Sequence, residues 1–156
     1  MAEYRPAVGM LAGAIGAAIA VGVMEALAVH TAIPLMVLPF ATSIVLVMGT
    51  PDVEAAQPRA LVGGHLVATF VGLVVVKLVG PSAWAAAFAV GLAIASMQLT
   101  RTFHPPAGIN PLLVVINNLS WSFLLVPVAV GSARLALFAV GWNSAVRRQP
   151  WPKQWW

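Results

Sequence analysis

Long apolar runs alternate with short, broken ones along this chain. The first run, residues 6–29, exceeds the roughly 20 apolar residues that carry a helix across a bilayer. Gly9, Gly13, Gly16 and Gly22 sit among its alanines, and small residues let helix backbones approach closely in lipid. Residues 60–79, 83–100 and 121–142 are further runs that read as full spans. Two other runs differ. Pro34 and Pro39 break up the start of residues 33–48. Its least interrupted part, residues 35–48, makes about 21 Å of helix, short of the roughly 30 Å hydrocarbon core. Before residues 112–116, Pro105, Pro106 and Pro111 remove backbone donors and restrict the residues preceding them. Regular helix is therefore not expected over 102–110, and Asn117 and Asn118 interrupt the run on its other side. Both broken segments read as re-entrant; for the first, a steeply packed buried helix is the alternative. The expected fold class is an all-α membrane protein. It would have four transmembrane helices plus two short Pro-interrupted re-entrant segments, forming one transmembrane domain over residues 1–156.

Each half of the chain reads long, short, long, over residues 6–79 and 82–143. The match is one of hydropathy and not of residues. A two-fold internal repeat with short interrupted segments in matching positions is the pattern of a transporter site. Between the halves, Gly80-Pro81-Ser82 makes a tight turn. The polar stretch GTPDVEAAQPR, residues 49–59, holds Asp52, Glu54 and Arg59, and Pro51 and Pro58 mark it as a loop. Pro127 predicts a kink in the last span, and Trp121 and Trp142 read as interfacial anchors. Residues 143–156 read as a basic, aromatic tail at the interface. With four spans, Arg5, Lys77, Arg147, Arg148 and Lys153 share one side, with Arg59 and Arg101 opposite. If both short segments cross instead, Arg59 and Arg101 join the C-terminal cations and Lys77 leaves them. Charge slightly favours six crossings. The shortness of residues 111–120 favours four. Either way the basic bias puts both termini in the cytoplasm, and the expected place is a bacterial inner (plasma) membrane.

Composition sharpens this picture. Of 156 residues, 61% are hydrophobic and 8% charged, against roughly 25% charged in a soluble domain. Most of the surface should face lipid or other helices. The net charge of +4 forms no basic stripe, so no nucleic-acid partner is expected, and the cations read as topology anchors. The first run is too long for a signal peptide and reads as a mature helix. Without cysteine there is no disulfide, thiolate nucleophile or thiolate metal site. His30, His65 and His104 are far apart in sequence and no HExxH pair occurs. No metal, no cofactor and no enzymatic activity are expected.

The most distinctive local feature is His104-Pro105-Pro106-Ala107-Gly108. It puts non-helical backbone beside a titratable ring. At membrane depth such backbone is tolerated only inside protein or along a wet cavity, and its free N–H groups can meet an anion. A turn at the membrane surface is the plainer reading. Arg59, His65, Arg101, His104 and Arg134 supply fixed or conditional positive charge. Thr42, Ser43, Asn110, Asn117 and Asn118 supply hydrogen-bond donors. Snorkelling at helix ends would also explain Arg59 and Arg101, and a hydrogen-bonded core position would explain His65. Arg134 falls near mid-span, where a charge is expensive unless paired or wet. Glu25 or a neighbouring subunit is its expected partner, and a homo-oligomer is expected.

Several blocks, in this order, resemble the HPP family of integral membrane proteins across nearly the whole chain. They are Pro39-Phe40-Ala41-Thr42-Ser43, Gln57-Pro58-Arg59, Gly63-Gly64-His65, Met97-Gln98-Leu99-Thr100, and His104-Pro105-Pro106-Ala107-Gly108. Asn143 and the stretch 152–155 close the series. Ala41 stands where the family commonly has glycine, and Ile109 where a smaller residue is common. The resemblance implies a four-span protein, and a family in which some members move nitrite across chloroplast or cyanobacterial membranes and some carry a soluble domain. No such soluble domain is expected here, and the resemblance implies transport of a small monovalent inorganic anion, with nitrite the first candidate. Arg101 and His104 would stand at one mouth, Asn110 and Thr42 nearer the constriction, and Arg59 and His65 on the approach from the other half. The alternative is a structural or regulatory membrane protein without transport activity.

Overall fold

The computed structural model describes residues 6–31 and 38–155. Arg5, Pro34 and Trp156 lie outside the described residues. Six helices follow one another: α1 (Pro6–Thr31), α2 (Leu38–Gly49), α3 (Pro58–Val79), α4 (Ala83–Leu99), α5 (Asn110–Ile116) and α6 (Val130–Trp142). Wide π-type turns, Leu124–Ala129 and Asn143–Arg147, extend α6 at both ends. Short 3-10 turns, Glu54–Ala56 and Pro105–Ile109, precede α3 and α5.

The starts and stops follow the sequence. Proline occupies the first turn of α3 and of α5, where its missing N–H would have no partner in any case. Ser82 caps α4 by accepting from the Ala85 N–H at 3.1 Å. The Asn117 amide donates back to the Leu113 carbonyl at 2.9 Å, and Asn118 turns left-handed with φ 47°. The expected kink is present: Val126, before Pro127, has φ −134° and ψ 116° inside an otherwise helical stretch.

Three stretches are long and apolar enough to cross a membrane: Ala7–His30, Pro58–Val79 and Leu124–Arg147. The 17 residues of α4 sit at the lower limit for a span. The outer surface is apolar to a degree that water does not tolerate. Trp84 is 87% exposed, Leu99 86% and Leu78 77%. A contiguous apolar exterior of this kind belongs against lipid, and the protein is an integral, multi-spanning membrane protein.

One end of the bundle is polar and cross-linked. There the Arg147 guanidinium donates to the Met48 carbonyl. The Trp151 indole N–H and the Gln57 amide both donate to the Pro51 carbonyl, at 3.0 and 2.8 Å. The Lys153 N–H donates to Gln57 Oε1 at 2.9 Å, and Lys153 pairs with Asp52 at 2.8 Å. Arg59 donates to the Thr100 carbonyl at 3.1 Å. Thus the end of α2, the start of α3, the end of α4 and the C-terminal tail meet in one layer.

The four-span expectation puts Arg59 and Arg101 opposite the C-terminal cations, whereas the segments that carry them share this layer. Within the bundle, neighbouring helices shield the backbone of α5, and 3-10 and irregular residues on either side add length. The C-terminal tail is folded onto the loop at this end, with Trp151 buried. Trp142 turns inward, donating to the Ala12 carbonyl at 3.1 Å and stacking on Phe138.

Packing forms two clusters. One joins α3, α4 and α5 through Ala68, Leu73, Ala86, Ala89, Met97 and Val114. The other joins α1, α2 and α6 through Met24, Phe40, Ile44, Leu135 and Ala139. The third helix of each half therefore packs on the first two helices of the other half.

Candidate functional site

The two clusters meet at a buried polar network about 10 Å along α3 from its first residue. Ser43 of α2 is its hub. Its hydroxyl lies 2.9 Å from His65 Nε2, 2.8 Å from His104 Nε2 and 2.6 Å from the Pro39 carbonyl. His104 Nδ1 lies 2.7 Å from the Ala55 carbonyl. A carbonyl only accepts, so Nδ1 carries a hydrogen and donates there. Asn110 at the start of α5 places Nδ2 3.1 Å from His65 Nδ1 and donates to Thr69 Oγ1 at 2.7 Å. The His65 ring packs between Phe40 and His104, with centroids 4.9 and 5.1 Å apart. Ser43, His65, Thr69, His104 and Asn110 are all fully buried. Asn110 Oδ1 has no hydrogen-bond partner, so the network retains unused polar capacity.

Glycine makes this convergence possible. A Cβ on Gly64 would stand 2.6 Å from His104 Cβ and 2.7 Å from the Thr102 carbonyl. One on Gly72 would stand 2.7 Å from Pro111 Cα. The bare face of α3 thus admits the connector carrying His104 and the first turn of α5.

Two clefts adjoin the network. One, of about 390 Å³, is lined by Glu54, Ala55, Ala60, Gln98, Arg101 and Phe103. Ala55 is also the residue that holds His104. The other, of about 530 Å³ and mostly apolar, is lined by Thr42, Leu46, Pro105, Pro106 and Ile109. The segment from His104 to Pro106 stands between the clefts, and the network beside it is sealed.

Of the residues singled out from sequence, Ser43, His65, His104 and Asn110 converge in the network. Arg101, exposed and left-handed with φ 55°, and Thr42 line the clefts on either side. Arg59 is tied to the Thr100 carbonyl at the polar end. Asn117 and Asn118 are exposed and serve to end α5. Arg134 lies apart, in a groove with Ala20, Met24 and Leu27 of α1, and its buried Nη1 has no hydrogen-bond partner. Glu25 is exposed, and no ion pair between it and Arg134 occurs among the described residues. Two participants were not foreseen. Thr69 stands one helical turn from His65, a spacing that puts both on one face. The Ala55 carbonyl has no side-chain signal that could have revealed it. Among the described residues no group of three or more His, Asp or Glu is arranged to hold a metal.

Comparison with known proteins agrees with a membrane protein. Two transmembrane proteins of Dictyostelium discoideum are 41% and 38% identical over 125 positions, covering 75% of this chain in each case. The chain spans less than half of their length, 40% and 44%. No solved structure matches it. Residues 3–152 match the family described as HPP, transmembrane region. That family includes nitrite transporters. The chain belongs to the HPP family of integral membrane proteins.

Proposed function

We propose that this protein moves a small monovalent anion, nitrite first among the candidates, through the Ser43–His65–His104–Asn110 network. The observation that carries the reading is the network itself. Polar side chains from α2, α3, α5 and the His104 connector converge at membrane depth, where polar groups are expensive and mark substrate paths. Arg101 at one cleft supplies attraction. No fixed cation stands in the network, and weak binding is what release requires.

The sealed network favours a carrier that closes alternately over an open channel. The exchanged packing of the halves supports the same reading. Each half makes an odd number of passes, so the halves run in opposite senses, and rocking of one against the other would open each cleft in turn. We take all six helices, α1 to α6, as membrane crossings. The polar end, with Arg59, Arg101, Arg147, Arg148 and Lys153, is then cytoplasmic.

The sealed network also suits a structural membrane protein, and one experiment separates the two. Purified protein in liposomes is offered nitrite, nitrate, chloride, formate or bicarbonate, with protein-free liposomes in parallel because nitrous acid crosses bilayers unaided. Protein-dependent uptake of at least one anion is expected. Its absence for all five, at both pH 6 and pH 8, ends the transport reading in favour of the structural one.

A further inference from the structure

Three polar contacts meet at the Ser43 hydroxyl, and a neutral network has hydrogens for two of them. Ser43 has one hydroxyl hydrogen. The Pro39 carbonyl, 2.6 Å away, can only accept it. His104 holds its Nδ1 hydrogen on the Ala55 carbonyl, so a neutral His104 presents Nε2 as a bare lone pair, 2.8 Å from the same hydroxyl. The one hydrogen can serve only one of these two contacts, although the Pro39 carbonyl, four residues back in α2, also has the helix N–H of Ser43 to accept. His65 creates no such contest. Its Nδ1 accepts from Asn110, and its Nε2–H donates to Ser43. One added proton on His104 Nε2 removes the conflict. That N–H then donates to Ser43 Oγ, the Ser43 hydroxyl turns to Pro39, and every contact at Ser43 becomes a hydrogen bond.

An imidazolium in this dry setting is expensive alone, and so is an anion. Each offsets the other when both are present, provided their hydrogen bonds are met. The titratable and charged groups facing His104 are few. Packed against it, α3 contributes His65, with Arg59 at its outer end. The turn Glu54–Ala56 contributes Glu54, and the end of α4 contributes Arg101. The described parts of α2 and α5 and the turn Pro105–Ile109 contribute none. No carboxylate therefore lies in the network to hold the imidazolium without a substrate.

We propose that the network carries one proton with each anion, His104 Nε2 taking the proton and Ser43 acting as the hinge that makes room for it. The inference rests on the transport reading above. The proton leaves water on one side, bonds to Nε2, and is returned to water on the other side as that N–H breaks. The anion crosses with it, so no net charge moves.

The test uses the intact protein in liposomes at pH 7–8, with membrane potential set by a potassium gradient and valinomycin, and protein-free liposomes subtracted. Nitrite is the probe, with nitrate in parallel. The expected initial uptake ignores the potential and drives accumulation by about tenfold per unit of pH gradient. Uptake that follows the potential and ignores the pH gradient overturns the coupling and leaves transport standing. Absence of uptake for every anion overturns both. Histidine-selective 15N NMR in lipid reads the proton directly and does not depend on flux. His104 should gain a second N–H when nitrite is added, and Ser43→Ala should weaken that gain. A single N–H at His104 with and without nitrite, in folded wild-type protein, contradicts the proposal.

Discussion

At the scale of single residues, the site depends on what is missing as much as on what is present. Gly64 leaves the space that His104 and the Thr102 carbonyl fill. Gly64→Ala should lower stability by about 1–3 kcal/mol through forced repacking and should disturb the His104 environment. Gly91→Ala is the control, since a Cβ there meets nothing within 4 Å. Thermal unfolding in lipid or detergent compares the two; equal midpoints would refute the close approach. Ser43, His65, His104 and Asn110 were legible from sequence because histidine, serine and asparagine are unusual inside apolar runs, whereas Thr69 was not. What a run cannot reveal is direction. Asn117 and Asn118 are the same residue type as Asn110, yet they turn to the end of α5, while Asn110 turns to His65 and Thr69. Arg134 was read as needing shelter, and its Nη1 is buried without a partner.

At the scale of elements, the broken segments were visible in the prolines, but their path was not. Whether residues 105–116 return or cross depends on contacts between Ala55 and His104 and between α5 and α3. These lie tens of residues apart in the sequence. The C-terminal tail shows the same limit. Its tryptophans and cations suit a membrane interface, and only the loop at residues 50–57 explains why Trp151 is buried instead. Trp151→Ala should cost about 3–5 kcal/mol, as truncation of a large buried aromatic does. It should also free the tail, so that a protease acting at Lys153 cuts the variant faster than the wild type. Equal cleavage and equal stability would mean that the tail is not held there.

At the scale of the whole molecule, the decisive feature is that one polar end gathers residues 48–59, 100–104 and 147–154. Cysteines placed at Asp52 and at Gln154 should therefore be labelled from the same side in sealed vesicles, and a cysteine at Pro81 from the other. Opposite labelling of Asp52 and Gln154 would restore the four-span arrangement. Much of α1 exposes apolar side chains on several faces, Met10 at 70% and Val29 at 73% among them. With its Gly- and Ala-rich surface, this helix would supply the seam of the expected homo-oligomer, and mass measurement in native-like lipid should find a dimer or trimer, not a monomer. The central claim remains that an anion passes through the buried network. Its most direct test is the initial rate of nitrite uptake by wild-type, Arg101→Ala and His104→Ala proteins. All three are reconstituted at equal amounts and checked for membrane insertion, with protein-free liposomes subtracted. The expected result is clear uptake by the wild type, a reduced rate for Arg101→Ala and a loss of about tenfold or more for His104→Ala, as when a positioned proton-carrying group is removed. Wild-type uptake that His104→Ala leaves unchanged would contradict the account.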